Sequence, residues 1–192
     1  MQEAAKYMGK AMAAAAVALL AACGGGRDSR QLVVEPEAPA VVVGETLVIT
    51  ARAQGDEVAD PEWEVQEMYG GGLLQSQGPR VTYVPPEAAG TYHLVLRNHG
   101  HKQAVEVRVL PCPVVEPLSP RVAPGASITF RVRMRGLPRD AAVWTVDEAE
   151  GGEIGPDGRY TAPRRPGVYH VTATSTADPS ASARATVTVG TD

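Results

Sequence analysis

Catalysis needs a nucleophile, a base and an orienting group within reach, or metal ligands at a workable spacing. The 192-residue sequence offers no such set: it has no phosphate-cradling glycine loop, no zinc-type cysteine pair and no nucleophile elbow. Four weaker groupings remain. His99 and His101 flank Gly100 and would ligate a transition metal if their rings converged, but Asn98-His99-Gly100-His101-Lys102 lies between two strand-like runs and reads as a hairpin turn. Asp147, Glu148, Glu150 and Glu153 form an acidic loop, with Asp56, Glu57 and Asp60 as a looser counterpart, yet neither matches a calcium-ligand spacing. Arg131, Arg133 and Arg135 form a guanidinium row suited to an acidic glycan or a phosphate, and Arg164-Arg165 adds a second basic spot. These five arginines are the candidate binding surface; no metal, cofactor, catalytic residue or nucleic-acid partner is expected.

The elements that would position these groups are short strands. Ile128, Phe130, Val132 and Met134 alternate with Thr129, Arg131, Arg133 and Arg135, as one strand with an apolar and a charged face. Val105, Val107 and Val109 alternate with Glu106 and Arg108 in the same way. The 20 glycines and 16 prolines punctuate the chain too often for long helices. Gly155-Pro156-Asp157-Gly158 reads as a tight turn, with Pro fixing φ and Gly open to positive φ.

The chain also repeats itself. Val33-Val34-Glu35-Pro36 returns as Val114-Val115-Glu116-Pro117, Gly44 as Gly125 and Trp63 as Trp144, all 81 residues apart. Tyr83, Pro86, Gly90, Tyr92 and His93 return as Tyr160, Pro163, Gly167, Tyr169 and His170, now 77 apart. One four-residue difference between Glu67 and Pro79 reconciles the two spacings, and Met68 to Gly78 reads as a disrupted loop. About seven short strands in roughly 80 residues require a second sheet to cover their apolar faces, so each copy is expected to be a two-sheet sandwich. Both tryptophans are expected to be buried, and His93 and His170 to lie on the opposite face from the tyrosines that precede them, as surface residues rather than ligands.

Gly90-Thr91-Tyr92 and Gly167-Val168-Tyr169 resemble the tyrosine corner of immunoglobulin-like domains. The position two beyond that tyrosine, a disulfide cysteine in antibody domains, is Leu94 or Val171 here, so each core must hold by packing alone. The second copy, through Gly152-Glu153-Ile154, Gly158-Arg159-Tyr160-Thr161-Ala162-Pro163 and Ala173-Thr174-Ser175, resembles the bacterial Ig-like domains of cell-surface proteins. That resemblance implies an all-β chain of two tandem Ig-like sandwiches, over residues 31–110 and 114–190, joined by a proline-rich linker at 111–113. It also implies a stalk or binding unit rather than an enzyme.

The amino terminus reads as an address. Lys6 and Lys10 precede an apolar run over residues 11–22, too short to span a membrane permanently, which ends in Leu20-Ala21-Ala22-Cys23. This segment resembles the lipobox of bacterial lipoproteins, which implies cleavage after residue 22 and lipidation of Cys23. Residues 23–30 would then form a flexible tether, and Gly24, where an inner-membrane lipoprotein often carries Asp, points to the outer membrane. Met8-Gly9-Lys10 makes an equally good start. The processed chain would carry 16 basic and 21 acidic side chains, unevenly shared: residues 31–110 hold 5 basic and 11 acidic, residues 113–192 hold 9 of each. Cys112 would lack an intrachain partner, leaving a sheltered thiol or an intermolecular disulfide. The expected role is a membrane-anchored, non-enzymatic envelope lipoprotein that acts as a scaffold or protein-interaction module; the alternative is a surface adhesin or glycan-binding module.

Overall fold

The computed structural model describes residues 32–190 apart from 54, 55, 59 and 77. The export signal, Cys23 and the tether lie outside the described residues. Everything regular within them is strand. The first unit contains β1 (Leu32–Glu35), β2 (Ala40–Val42), β3 (Leu47–Ala53), β4 (Asp56–Glu57), β5 (Glu62–Val65), β6 (Gly72–Leu74), β7 (Arg80–Val84), β8 (Gly90–Asn98) and β9 (His101–Leu110). The second contains β10 (Cys112–Glu116), β11 (Arg121–Val122), β12 (Ser127–Thr129), β13 (Arg131–Arg135), β14 (Ala142–Val146), β15 (Glu153–Ile154), β16 (Arg159–Thr161), β17 (Gly167–Ser175) and β18 (Ser182–Val189).

The two units share one topology. In the first, one sheet runs β1-β3-β7-β6, with β4 pairing β3, and the facing sheet runs β2-β9-β8-β5. The second repeats the facing sheet as β11-β18-β17-β14. Two sheets with this strand order make each unit an immunoglobulin-like β-sandwich, and the chain is a tandem pair of them. The other sheet of the second unit divides into β10-β13 and β12-β16-β15. Ile128 to Met134 is therefore not one strand: the Phe130 N–H donates to the Gly158 carbonyl at 2.8 Å, in the turn before β16, and the ladder changes partner there. The alternation survives the break, because Phe130 and Met134 are buried while Thr129, Arg131, Arg133 and Arg135 are exposed.

Each sandwich closes over its own core. Ile49, Trp63, Val81, Tyr83, Leu94, Leu96 and Val107 pack together in the first, and Val115, Phe130, Met134, Tyr160, Val171 and Val187 in the second. Among the described residues no disulfide crosses either core, and Cys112 is a free, half-buried thiol. Trp63 is buried, with its indole N–H donating to the Gly78 carbonyl at 3.1 Å. Trp144 is only half-buried, against expectation. Its cross-strand neighbour is Ala173, where Trp63 faces Leu96, so less side chain covers it. The hairpin reading of residues 98–102 matches the structure: Asn98 pairs with His101 across a two-residue turn whose His99 and Gly100 have φ of 44° and 83°.

Only Pro111 separates β9 from β10, and the two sandwiches touch there. The Ala89 N–H donates to the Gly136 carbonyl at 2.8 Å, and Ala88 and Gly136 form a parallel bridge between the units. A β-carbon on Gly136 would sit 2.9 Å from Val43, 3.1 Å from Pro111 and 3.2 Å from Ala89, at a φ of +89°. Glycine is what lets the backbones approach so closely.

Candidate functional site

Both sandwiches build the same hydrogen-bonded end. The loop after β5 or β14 returns a glycine carbonyl to a buried tyrosine, so that the Tyr83 hydroxyl donates to Gly70 and the Tyr160 hydroxyl to Gly151. Burial, with the neighbouring Tyr92 or Tyr169 and then Glu67 or Glu148 adding to it, pushes both hydroxyls up to about 12. The tyrosine corner lies alongside: Tyr92 donates to the Ala88 carbonyl and Tyr169 to the Arg165 carbonyl, each at 3.0 Å.

A carboxylate clamp completes each end. Glu67 Oε2 accepts the His93 backbone N–H at 2.9 Å, and its Oε1 lies 2.6 Å from His93 Nδ1. Glu148 holds His170 in the same way, at 2.8 and 2.6 Å. Desolvation works to raise these carboxyls, but the hydrogen bonds from the histidine backbone and ring outweigh it and hold both below the ordinary range. The histidines do sit on the opposite face from Tyr92 and Tyr169, but as partners of Glu67 and Glu148 rather than as free surface rings. The signal was present in the sequence: the glutamates are 81 apart and the histidines 77, matching the two repeat spacings.

The loop carrying the clamp also corrects the expectation of disruption from Met68 onward. Gly71 and Gly152 have φ of 97° and 96°, and β6 pairs with β7 as β15 pairs with β16. The extra length lies beyond Leu74, so the two loops are alike up to that point. What differs is the side chains they carry. Met68 and Tyr69, 87% and 83% exposed, stand where the second sandwich has Ala149 and Glu150.

The two equivalent ends meet different surroundings. In the first sandwich, Gly44 and the stretch from Glu87 to Ala89 abut the second: Arg135 Nη2 approaches Glu87 at 3.8 Å, and a β-carbon on Gly44 would lie 2.5 Å from the same nitrogen. The matching connections in the second sandwich, β11 to β12 and β16 to β17, lie at its opposite end, because it meets the first through the connection from β13 to β14. That end, with Arg164, Arg165 and the acidic loop, is the tip of the second sandwich, away from the junction.

The five candidate arginines therefore do not form one surface. Arg131 and Arg133 project outward from β13, Arg135 is committed to the junction, and Arg164 and Arg165 stand at the tip. Arg165 lies 3.7 Å from Glu150 with both side chains at least 80% exposed, a weakly held pair. The acidic loop does not converge. Asp147 accepts from the Thr172 hydroxyl and pairs with Arg184, both at 2.8 Å; Glu148 clamps His170; and Glu153 lies on β15. Among the described residues, no three His, Cys, Asp or Glu side chains come together to hold a metal, and no helix is long and apolar enough to cross a membrane.

No family model and no curated protein matches the chain. Among solved structures, it is similar to the C-terminal 282-residue fragment of intimin in complex with the intimin-binding domain of the translocated intimin receptor, at 12% identity and a TM-score of 0.46, covering 83% of this chain and 64% of that one. It is also similar to invasin, a bacterial integrin-binding protein, at 12% identity and a TM-score of 0.39, covering 82% and 38%. Domains 4 and 5 of the S-layer protein SbsC match at 16% identity and a TM-score of 0.33, covering 84% and 98%. The chain is a tandem pair of Ig-like sandwiches.

Proposed function

We propose that the chain is an exported surface-adhesion module, held to a membrane through a lipid on Cys23, whose second sandwich carries the recognition surface. The observation that supports this most is the junction. A backbone bridge, a glycine contact and an ion pair join the sandwiches end to end, leaving the tip of the second facing away from Leu32, at the start of β1. The first sandwich acts as a spacer over residues 31–110 and the second, over residues 114–190, as the reader. Its charged groups are divided between a flank and a tip, which suits contact with a large partner rather than enclosure of a small molecule. The resemblance of the second copy to bacterial cell-surface Ig-like domains, and of Leu20-Ala21-Ala22-Cys23 to a lipobox, supports the same reading and an outer-membrane address.

The test compares cells displaying the full chain with cells displaying Cys23–Leu110, which retains its own core. Both forms are expected in the membrane fraction, and only the full chain is expected to support adhesion to the partner surface. Adhesion by the shorter form rejects the assignment of recognition to the second sandwich. Cys23→Ala is expected to leave the protein unanchored or unprocessed; an unmodified Cys23 peptide in mass spectrometry of the wild type rejects the anchor.

A further inference from the structure

We infer that the outer face of the divided layer formed by β10-β13 and β12-β16-β15 binds a linear anionic polysaccharide through Arg131, Arg133 and Arg159. This rests on the adhesion reading above and names the chemistry of the partner. Arg159 joins the row through pairing: it lies across from Thr129, two residues before Arg131, and is exposed like Arg131 and Arg133. All three project from the face opposite buried Phe130, Met134 and Tyr160.

These guanidinium groups are unspent. Arg52, Arg97 and Arg184 each lie within 3.2 Å of a carboxylate, whereas among the described residues none pairs with Arg131, Arg133 or Arg159. Glu116 is opposite Arg131 in the ladder and Glu153 opposite Thr161, and neither forms an ion pair with the row. The first sandwich provides an internal comparison. By the repeat spacings, Arg131, Arg133 and Arg159 correspond to Thr50, Arg52 and Thr82, and Arg52 is held by Glu35 at 2.8 Å. Around Thr82 the same face of the first sandwich presents exposed Val48, Leu74 and Val84, and its Arg80, across from Thr50, is engaged as Arg52 is. A row of three arginines without carboxylate partners therefore belongs to the second sandwich and not to the fold.

Geometry selects the kind of anion. Residues two apart on a strand are about 7 Å apart and their side chains run parallel, so the three groups do not converge on one small ion. A row of planar forks fits a chain bearing repeated carboxylates or sulfates, each taken up by one guanidinium. The row runs along the flank of the tandem pair rather than its tip, which suits a polymer lying alongside. The aromatic rings Phe130 and Tyr160 point inward, so affinity comes from charge rather than from stacking on sugar rings, and it falls as salt rises.

Heparin, a linear sulfated polysaccharide, is the probe, titrated against the full chain in detergent, with unsulfated dextran and with phosphatidylglycerol-containing vesicles as comparisons. The combined variant Arg131→Ser, Arg133→Ser and Arg159→Ser is expected to bind heparin about tenfold more weakly or worse, with an unchanged melting temperature. Arg97→Ser, Lys102→Ser and Arg108→Ser together remove the same charge from the first sandwich and are expected to change binding less than about twofold. Equal losses in the two variants, binding of vesicles in preference to heparin, or no heparin binding by the wild type each overturns the proposal. If adhesion needs the second sandwich while heparin binding ignores the row, this inference fails alone; if adhesion does not need that sandwich, the underlying reading fails.

Discussion

Replacing Gly136 with alanine sets the junction against the geometry of its own backbone. The clasp between the sandwiches is modest. It comprises one backbone hydrogen bond worth about 1 kcal/mol, one exposed ion pair worth at most about 1, and the shielding of Val43 worth about 1 more. The total is roughly 2 to 3 kcal/mol. Against it, a β-carbon at a φ of +89° costs about 1 to 2 kcal/mol, and forcing that carbon against Val43, Pro111 and Ala89 at 2.9 to 3.2 Å adds about 1 to 3 more. The penalty of about 2 to 5 kcal/mol matches or exceeds the strength of the clasp. Opening the junction relieves the steric part without unpacking either core, so the variant is expected to keep both sandwiches and lose their fixed arrangement. Spin labels attached through Arg97→Cys and Arg164→Cys, one on each sandwich in a Cys112→Ser background, would report a narrow distance distribution in the parent and a broad one in Gly136→Ala. An equally narrow, unshifted distribution in the variant, with unchanged melting, refutes the reasoning.

Three further outcomes follow from the geometry. Trp63→Ala is expected to destabilise its sandwich by about 3 to 5 kcal/mol and Trp144→Ala by less, because only Trp63 is fully buried; equal losses in urea unfolding would contradict the packing difference. The clamped carboxyls of Glu67 and Glu148 are held below their ordinary 4.5, so their stabilisation is present above that pH and is lost as acid protonates them; Glu67→Gln with Glu148→Gln should flatten the fall in melting temperature below about pH 4.5. Tyr83 and Tyr160 titrate near 12 in the fold against 10 when unfolded, so stability is expected to decline between those values, and Tyr83→Phe with Tyr160→Phe should remove most of that alkaline decline.

The sandwiches were legible because period-two alternation and turn residues are local signals, and the repeat let each copy support the other. Phe130 shows where locality ends. Its alternation is perfect, yet the ladder changes partner there because the Gly155–Gly158 turn, 25 or more residues downstream, supplies the hydrogen bond. Trp144 departs from the sequence expectation for a similar reason, since its cover depends on the residue across the ladder, Ala173, rather than on its own type. The clamps of His93 and His170 were readable in principle from matched spacings, but histidine and glutamate 22 to 26 residues apart announce nothing until the fold brings them together. Arg159 was hidden from the arginine row because strand pairing, not sequence proximity, places it there.

The order of the strands also fixes how the molecule meets a pull. In each sandwich the early strand lies parallel to the last one, β2 beside β9 and β11 beside β18. Bonds from Arg108 to Pro39, Val43 to Leu110, Thr188 to Pro120 and Gly190 to Val122 extend these seams, at 2.9 to 3.1 Å. Tension entering before β1 and leaving through the second sandwich draws β2 and β9 in opposite directions along their length. The bonds of that seam lie across the line of force and must yield together rather than one after another. Resistance then depends on the rate of unfolding rather than on equilibrium stability. A tether pulled by flow or by a moving partner would thus load the sandwich in shear, the direction in which its hydrogen bonds share the force.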